Sequence, residues 1–484
     1  VTTGGDNVMI GYKAGEDYVG GRMTAVGYLA GCNISADMGD GGFYGGARAG
    51  VTAIGHSNVA LGQDSMYYQS GNHNIAIGNQ AAYGVSATDG DHNITIGYYT
   101  AYNITSGENN VVIGKQAGQT LTTGVDNVLI GANALDSNNG NNNVIIGTSA
   151  AQGATTMDAS TIVGHQAAGG DVPTGDYNTS IGYQTLYQLG AGAESNTALG
   201  HRAGYTHTTG DDSTYIGTNA GSGSTTANSN TVVGKDALRG SQDSSTGGSN
   251  AILGVEAAKV TTGMRNVMLG FRAGYTATSA DQNVYIGYEA GQKFTTGDKN
   301  VAIGPKAGPS STSTASNQLY INNDSGTPLI HGDFSNKELT FTAATVNINS
   351  TSSNEPELII KNTNADDSPS FLKFLKRGES QADGDEIGQI QFIGQDDHST
   401  PNDVTYADVY VSSEDVSEGS EDGSMNFRTM TGGTLTNTMS LRSAAVGIGT
   451  TSPTSQLEIV GTNPKIIVDG GGSDDASIEL RESA

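Results

Sequence analysis

The residues best able to do chemistry are carboxylates in two acidic loops, Asp383-Gly384-Asp385-Glu386 and the stretch from Glu414 and Asp415 to Glu421 and Asp422. Two carboxylates held roughly 5 to 9.5 Å apart can hydrolyse a glycosidic bond, and carboxylates grouped with carbonyls can ligate Ca2+. These acids are sequence neighbours in Gly- and Ser-rich turns, where a solvated loop is the first reading. The spacing of an EF-hand is missing, so Ca2+ is the one cofactor to consider and none is assigned. The histidines His56, His73, His92, His165, His201, His207, His331 and His398 are scattered, with no HExxH pair and no Cys/His cluster. Lys115 and Lys235 follow glycine without the Ser/Thr of a phosphate loop, and no G-x-S-x-G elbow occurs. The chain is therefore not read as an enzyme, and no catalytic or metal residue is assigned.

Composition narrows the alternatives. In 484 residues the apolar fraction is 35%, Trp is absent and Gly contributes 71. That suits a thin, elongated body with a core renewed at every repeat better than one large round core. Acids outnumber bases 49 to 22, for a net charge of -27. Such a surface repels nucleic acid and keeps a long particle soluble. Cys32 stands alone and is expected as a small buried apolar residue. No apolar run approaches the ~18 residues of a membrane helix, so no membrane insertion is expected. The chain opens at Val1 in mid-repeat, which reads as a fragment or a processed product.

The elements that must position any functional residue come from one repeat. Asn7-Val8-Met9-Ile10-Gly11 returns as Asn74-Ile75-Ala76-Ile77-Gly78, Asn127-Val128-Leu129-Ile130-Gly131 and Asn300-Val301-Ala302-Ile303-Gly304. Aligned on the glycine there are 18 copies between Gly11 and Gly304, at intervals of 16 to 20 residues. A fixed period of this kind marks a unit stacked on copies of itself. Asn opens 14 of the 18, and Ala stands three places after the glycine in 15. At about 4.8 Å per rung the region would be a rod on the order of 85 Å long.

Residues two apart share one face of a strand. Val8, Ile10, Ile77 and Ile130 are expected to face inward as the repeat core, with Gly11, Ala14, Gly78 and Gly131 making the corners. The residue between them should then face outward, yet it is apolar in nearly every copy: Met9, Leu129, Ile145, Ile162, Val232, Ile252 and Met268. A strand apolar on both faces is buried on both. The second face needs another chain, and a cyclic homotrimer is the simplest closed arrangement for a fibre, with those seven residues at its interface. Segments such as Leu121-Thr122-Thr123-Gly124 and Phe294-Thr295-Thr296-Gly297 read as a second short strand with a turn. The recurrent Asn is expected to hydrogen-bond its stacked neighbours.

Asn-Val-x-Ile-Gly-x-x-Ala resembles the repeat of the β-roll in trimeric autotransporter adhesin heads, which is similar to repeats of phage tail fibres. The resemblance implies a left-handed trimeric roll whose work is adhesion, although repeats of about seventeen residues are longer here. After residue 308 repetition stops. Gln318-Leu319-Tyr320-Ile321, Pro328 to Phe334 and Leu339-Thr340-Phe341 read as a β neck over 309–350. A polar break at Asn349–Asn354 precedes an all-β domain over 351–445. Its six expected strands are Glu357–Ile360, Ser370–Leu375, Ile387–Phe392, Tyr406–Val411, Met425–Arg428 and Met439–Leu441. Val446-Gly447-Ile448-Gly449-Thr450-Thr451-Ser452-Pro453 with Gln456–Val460 reads as a shaft restarting over 446–484, and also resembles phage tail fibres. In many of that family the shaft leads to a C-terminal chaperone cut off after trimerisation; none is read here, so the expectation is that it was removed or lies beyond this fragment.

The sequence thus leads to an all-β trimeric parallel β-roll or β-solenoid fibre, residues 1–308, followed by a β-shaft and a small all-β domain. The expected role is attachment to a host cell as an extracellular virion tail fibre, with other virion tail proteins and a cell-surface glycan or protein receptor as partners. A bacterial trimeric surface adhesin is the alternative, a fibre-borne glycan hydrolase comes next, and ice binding is last because Thr recurs at no fixed outward position.

Overall fold

The structure is a computed structural model that describes residues 5–34, 40–53, 55–85, 89–135, 139–170, 173–240, 247–324, 326–342, 345–348, 358–361, 369–376, 382–418 and 420–467. It is all-β and divides into two compact units, Val1–Asn347 and Ile348–Ala484. The polar break at Asn349–Asn354 lies outside the described residues.

Unit 1 is a β-solenoid. Eighteen three-residue strands, from β1 (Val8–Ile10) to β18 (Val301–Ile303), stack in parallel. The register is exact from rung to rung: Val111 pairs with Val128 and Val128 with Val144. Each strand ends at the repeat glycine, where the chain turns. Gly131 has φ +138°, and a Cβ there would lie 2.4 Å from the Gly147 carbonyl oxygen of the next rung. Gly78 is alike, at φ +136° and 2.2 Å from the Gly97 oxygen. Conformation and space both demand glycine, which is why the corner never varies. Three places on, the Ala134 amide donates back to the Gly131 carbonyl at 3.3 Å, closing the turn.

The inward face is the reverse of the sequence expectation. Leu129, Ile145, Ile162, Val232 and Met268 have no accessible surface and Ile252 keeps 2%. Met9, on the first rung, is partly buried against the same core. These residues fill the coil and cannot form an interface between chains. Val8 and Ile10 instead remain 47% and 59% exposed, Ile77 37%, and Ile130 is half-buried. Gly11, Ala14, Gly78 and Gly131 do stand at the corner, with Ala14 packed on the core.

Two features set that direction. The repeat Asn lies two places before the middle residue, on the same face, and is itself buried. Asn110 accepts the Asn127 amide at 3.0 Å on Oδ1, and its Nδ2 donates to the Gly124 carbonyl at 2.8 Å. Asn127 and Asn143 repeat the pattern, so the row forms a continuous internal ladder that satisfies otherwise stranded backbone groups. The second feature is volume. Residues six apart, one on the strand and one beyond the corner, share each slice of the core. Tyr44, Tyr215 and Tyr285 face Gly50, Gly221 and Gly291, whose added Cβ atoms would come within 2.4 Å of the rings. Where the strand residue is small, as at Ala60 and Ser180, the partner is Met66 or Leu186, both fully buried. In these slices a large residue on one side is matched by a small one on the other.

The Thr-rich segments are not a second strand. They stack as turns: Thr105 and Thr208 each donate their amide and hydroxyl to one carbonyl on the next rung, that of Thr122 and of Thr225. Phe294 and Ser313 form an isolated bridge. The expected neck joins the solenoid as its cap. Strand β19 (Gln318–Ile321) adds in parallel to β18, and β20 (Ile330–Asp333) and β21 (Glu338–Phe341) follow antiparallel. The hairpin turns the open solenoid edge into a short antiparallel one.

Unit 2 is one sheet of β22 (Glu386–Gln395), β23 (Asp403–Asp415), β24 (Asp422–Thr431), β25 (Thr434–Arg442), β26 (Ala445–Ile448) and β27 (Leu457–Ile459). Its first five strands meander antiparallel, and β27 is parallel to β26. Residues 446–460 therefore complete this sheet and do not begin a separate shaft. Leu358–Ile360 and Phe371–Leu375 are described without strand pairing. Four of the six expected strands are present, longer than their apolar cores suggested.

Candidate functional site

The outward strand face of the solenoid is the leading candidate for a working surface. Each of the eighteen strands presents its first and third residues there, in columns such as Val111-Val128-Val144 and Ile113-Ile130-Ile146. None of these positions is Asp, Glu, Lys, Arg, Asn or Gln; six are Thr, and all the others are apolar, mostly Val, Ile or Leu. In a chain of net charge -27, that exclusion over a whole column of rungs makes a contiguous uncharged surface of the size at which other molecules dock. Withdrawing a half-exposed Val, Ile or Leu contributes about 0.5–1 kcal/mol. A dozen rungs would then offset the roughly 4–15 kcal/mol cost of association.

Aromatic rings border this face just past the corner. Tyr12 stacks on Tyr28 at 5.5 Å, Tyr183 lies between His165 and His201 at 5.6 and 5.1 Å, and Phe271 stacks on Tyr288 at 5.4 Å. In-register rungs place like side chains one above another, and such ring pairs add about 0.5–1.5 kcal/mol each beyond area burial.

Unit 2 carries a second apolar face, partly exposed, with Phe374 lying against it at Gly388. Ile390, Val409, Phe427 and Met439 are cross-strand neighbours, as are Val411, Met425, Leu441 and Val446. Ile390 and Met425 are exposed. The opposite face is a polar network. The buried Asp408 accepts from Arg428 Nε at 2.8 Å and Nη2 at 2.5 Å, and from Gln389 Nε2 at 2.5 Å. The Arg428 hydrogen bonds hold the Asp408 carboxyl below its usual range. Ser424 donates to Glu414 at 2.7 Å, and Ser440 to Asn426 at 2.6 Å.

The two acidic loops, far apart in sequence, meet at one end of this sheet: the Val416 amide donates to Asp383 Oδ1 at 3.1 Å, and the Gly384 amide to the Ser413 carbonyl at 2.6 Å. Their acids are engaged locally. Asp385 pairs with Lys376 at 3.4 Å, Glu414 with Arg442 at 3.0 Å, and Asp415 accepts the Ser417 amide at 2.8 Å. Among the described residues no group of three or more His, Cys, Asp or Glu is placed to hold a metal ion.

Of the histidines only His207 is buried. Its Nε2–H donates to the Gly210 carbonyl at 2.7 Å, and Nδ1 lies 3.3 Å from the Tyr215 hydroxyl. Burial pushes this imidazole below its usual range. Cys32 is buried, and burial raises its thiol. Among the described residues no helix is long and apolar enough to cross a membrane. A comparison with protein-family models finds no match, and a comparison with curated proteins finds none.

Proposed function

We propose that this chain is the subunit of a homotrimeric extracellular fibre that attaches a particle to a cell surface, a phage tail fibre in its simplest form. One observation carries the reading: the uncharged outward strand face, in register over eighteen rungs, of a strongly acidic chain. Three solenoids set side by side around an axis parallel to the stack would bury that face at every rung, with no step in register. The apolar face of the second unit asks for the same kind of cover. Loops repeated along three chains offer a receptor, glycan or protein, many equivalent contacts, and weak contacts then add through avidity.

Light scattering of the full chain tests the assembly. A stable trimer is expected, and Ile130→Asp with Ile146→Asp should yield folded monomers, because the added carboxylates would be desolvated only at the interface. A wild-type chain that stays monomeric at micromolar concentration would overturn the reading.

A further inference from the structure

The second half of the solenoid holds a cleft of about 420 Å3 whose chemistry is opposite to that of the molecule around it. Its origin is visible in one column of outward residues, five places past the corner glycine: Tyr187, Tyr205, Ser222, Arg239, Lys259 and Tyr275. Ser222 is short, and Gly223 follows it, so a notch opens between Tyr205 on one side and Arg239 and Lys259 on the other. Tyr205, backed by Tyr187 at 5.2 Å, forms one wall. Arg202 reaches in from the same rung, 4.8 Å from the Tyr205 ring centre, with its Nε bound to Gln184 at 3.0 Å. Among the described residues its guanidinium makes no ion pair, being held by that Nε hydrogen bond and by the Tyr205 ring.

Three of the chain's 22 basic residues line this cleft, and among the described residues no carboxylate does. The nearest acids are already shared. Glu256 binds Lys259 at 2.7 Å and Arg272 at 2.6 Å, and Asp236 lies 3.8 Å from Arg239 while accepting Asn219 at 2.9 Å. The wall is therefore net positive in a chain of charge -27. Cations, one aromatic ring and neutral hydrogen-bonding groups from Asn219 and Ser222 form a set that matches a carboxylated sugar. The guanidinium takes the carboxylate in a forked pair, the amide and hydroxyl take ring hydroxyls, and the tyrosine covers the apolar face of the ring.

We propose that this cleft binds an acidic saccharide, such as a sialic or uronic acid unit of a cell-surface glycan. The assignment rests on the attachment reading for its biological sense, but its chemistry stands on the cleft alone. The test is calorimetry or saturation-transfer NMR on the full chain with 3′-sialyllactose, trigalacturonate, lactose and inorganic phosphate. At least one acidic saccharide is expected to bind, with lactose about tenfold weaker or worse. Arg202→Ala and Lys259→Ala should each weaken the acidic sugar by about tenfold, with unchanged circular dichroism and melting. Equal binding of lactose, binding of phosphate alone, or no binding of either acidic saccharide would overturn the proposal. Assembly separates the two readings. A trimer whose Arg202→Ala variant binds the acidic sugar as tightly as the wild type sinks the cleft and leaves the fibre; a monomer that binds the acidic sugar does the reverse.

Discussion

The solenoid and the six-stranded sheet solve the burial problem in opposite ways. In the solenoid the chain curls on itself, so each three-residue strand finds its own interior and the fully buried set is rich in Ala, Leu, Ile, Met and Tyr. In the sheet of unit 2 the buried side chains are those of Asp408, Ser412, Ser424, Asn426 and Ser440, while Phe392 and Ile393 stay 59% and 56% exposed. The long antiparallel strands there have hydrogen bonds and a polar network, but among the described residues no second sheet is stacked on them. A repeat with a corner every seventeen or so residues can complete a core within one chain, whereas an open meander leaves an apolar face for something else to cover. Both units expose an apolar face, but only the first is closed without it.

The sharpest way to break this contrast is at glycines. Gly131→Ala places a methyl against a backbone oxygen at a φ that only glycine adopts readily, and should cost about 4 kcal/mol or more, lowering the solenoid melting transition. Gly432→Ala in the hairpin between β24 and β25, at φ +57° with nothing within 4 Å, should cost only about 1 kcal/mol. Equal effects in a melting experiment would mean that the corner stack does not hold the solenoid together.

The core slices come next. Tyr215→Ala should destabilise by about 3–5 kcal/mol, leaving a void where the ring lay. Adding Gly221→Leu should return part of that, since Leu186 and Leu238 already occupy the equivalent site at φ +46° and +44°. If the second change makes matters worse, residues six apart do not share a slice.

The smallest effect separates the units by acid. The folded His207 binds its proton less readily than the unfolded residue, so the unfolded state takes up protons first. Solenoid stability should begin to fall as the pH drops below about 6.5, and His207→Gln should flatten that slope. Asp408 is shifted the other way: its contribution is present above about pH 3.9 and is lost only as pH falls further, through its depressed folded value. A pH series of melting curves should therefore show the solenoid weakening first.

Much of this was legible in the residues. The eighteen copies gave eighteen strands at the positions read, because a buried β residue, a polar ladder residue and a corner glycine leave a short word with little freedom. The doubly apolar strand was legible too. The direction of that strand was not, since alternation with period two is symmetric when both sets are apolar. The parity of the buried Asn, and the Tyr and Gly residues six apart, held that information, but only as relations between segments that meet after folding. The meeting of the two acidic loops and the notch at Ser222 were hidden for the same reason, as products of register and not of spacing.

By itself, then, the sequence determined the period, the rungs, the corners and the apolar character of both strand faces, because these follow from local conformation and side-chain type. Tertiary structure decided which face the coil keeps for itself. It also made the expected neck a cap and the expected shaft the last strands of a sheet, because those outcomes depend on which backbone edges and side-chain volumes find one another in space.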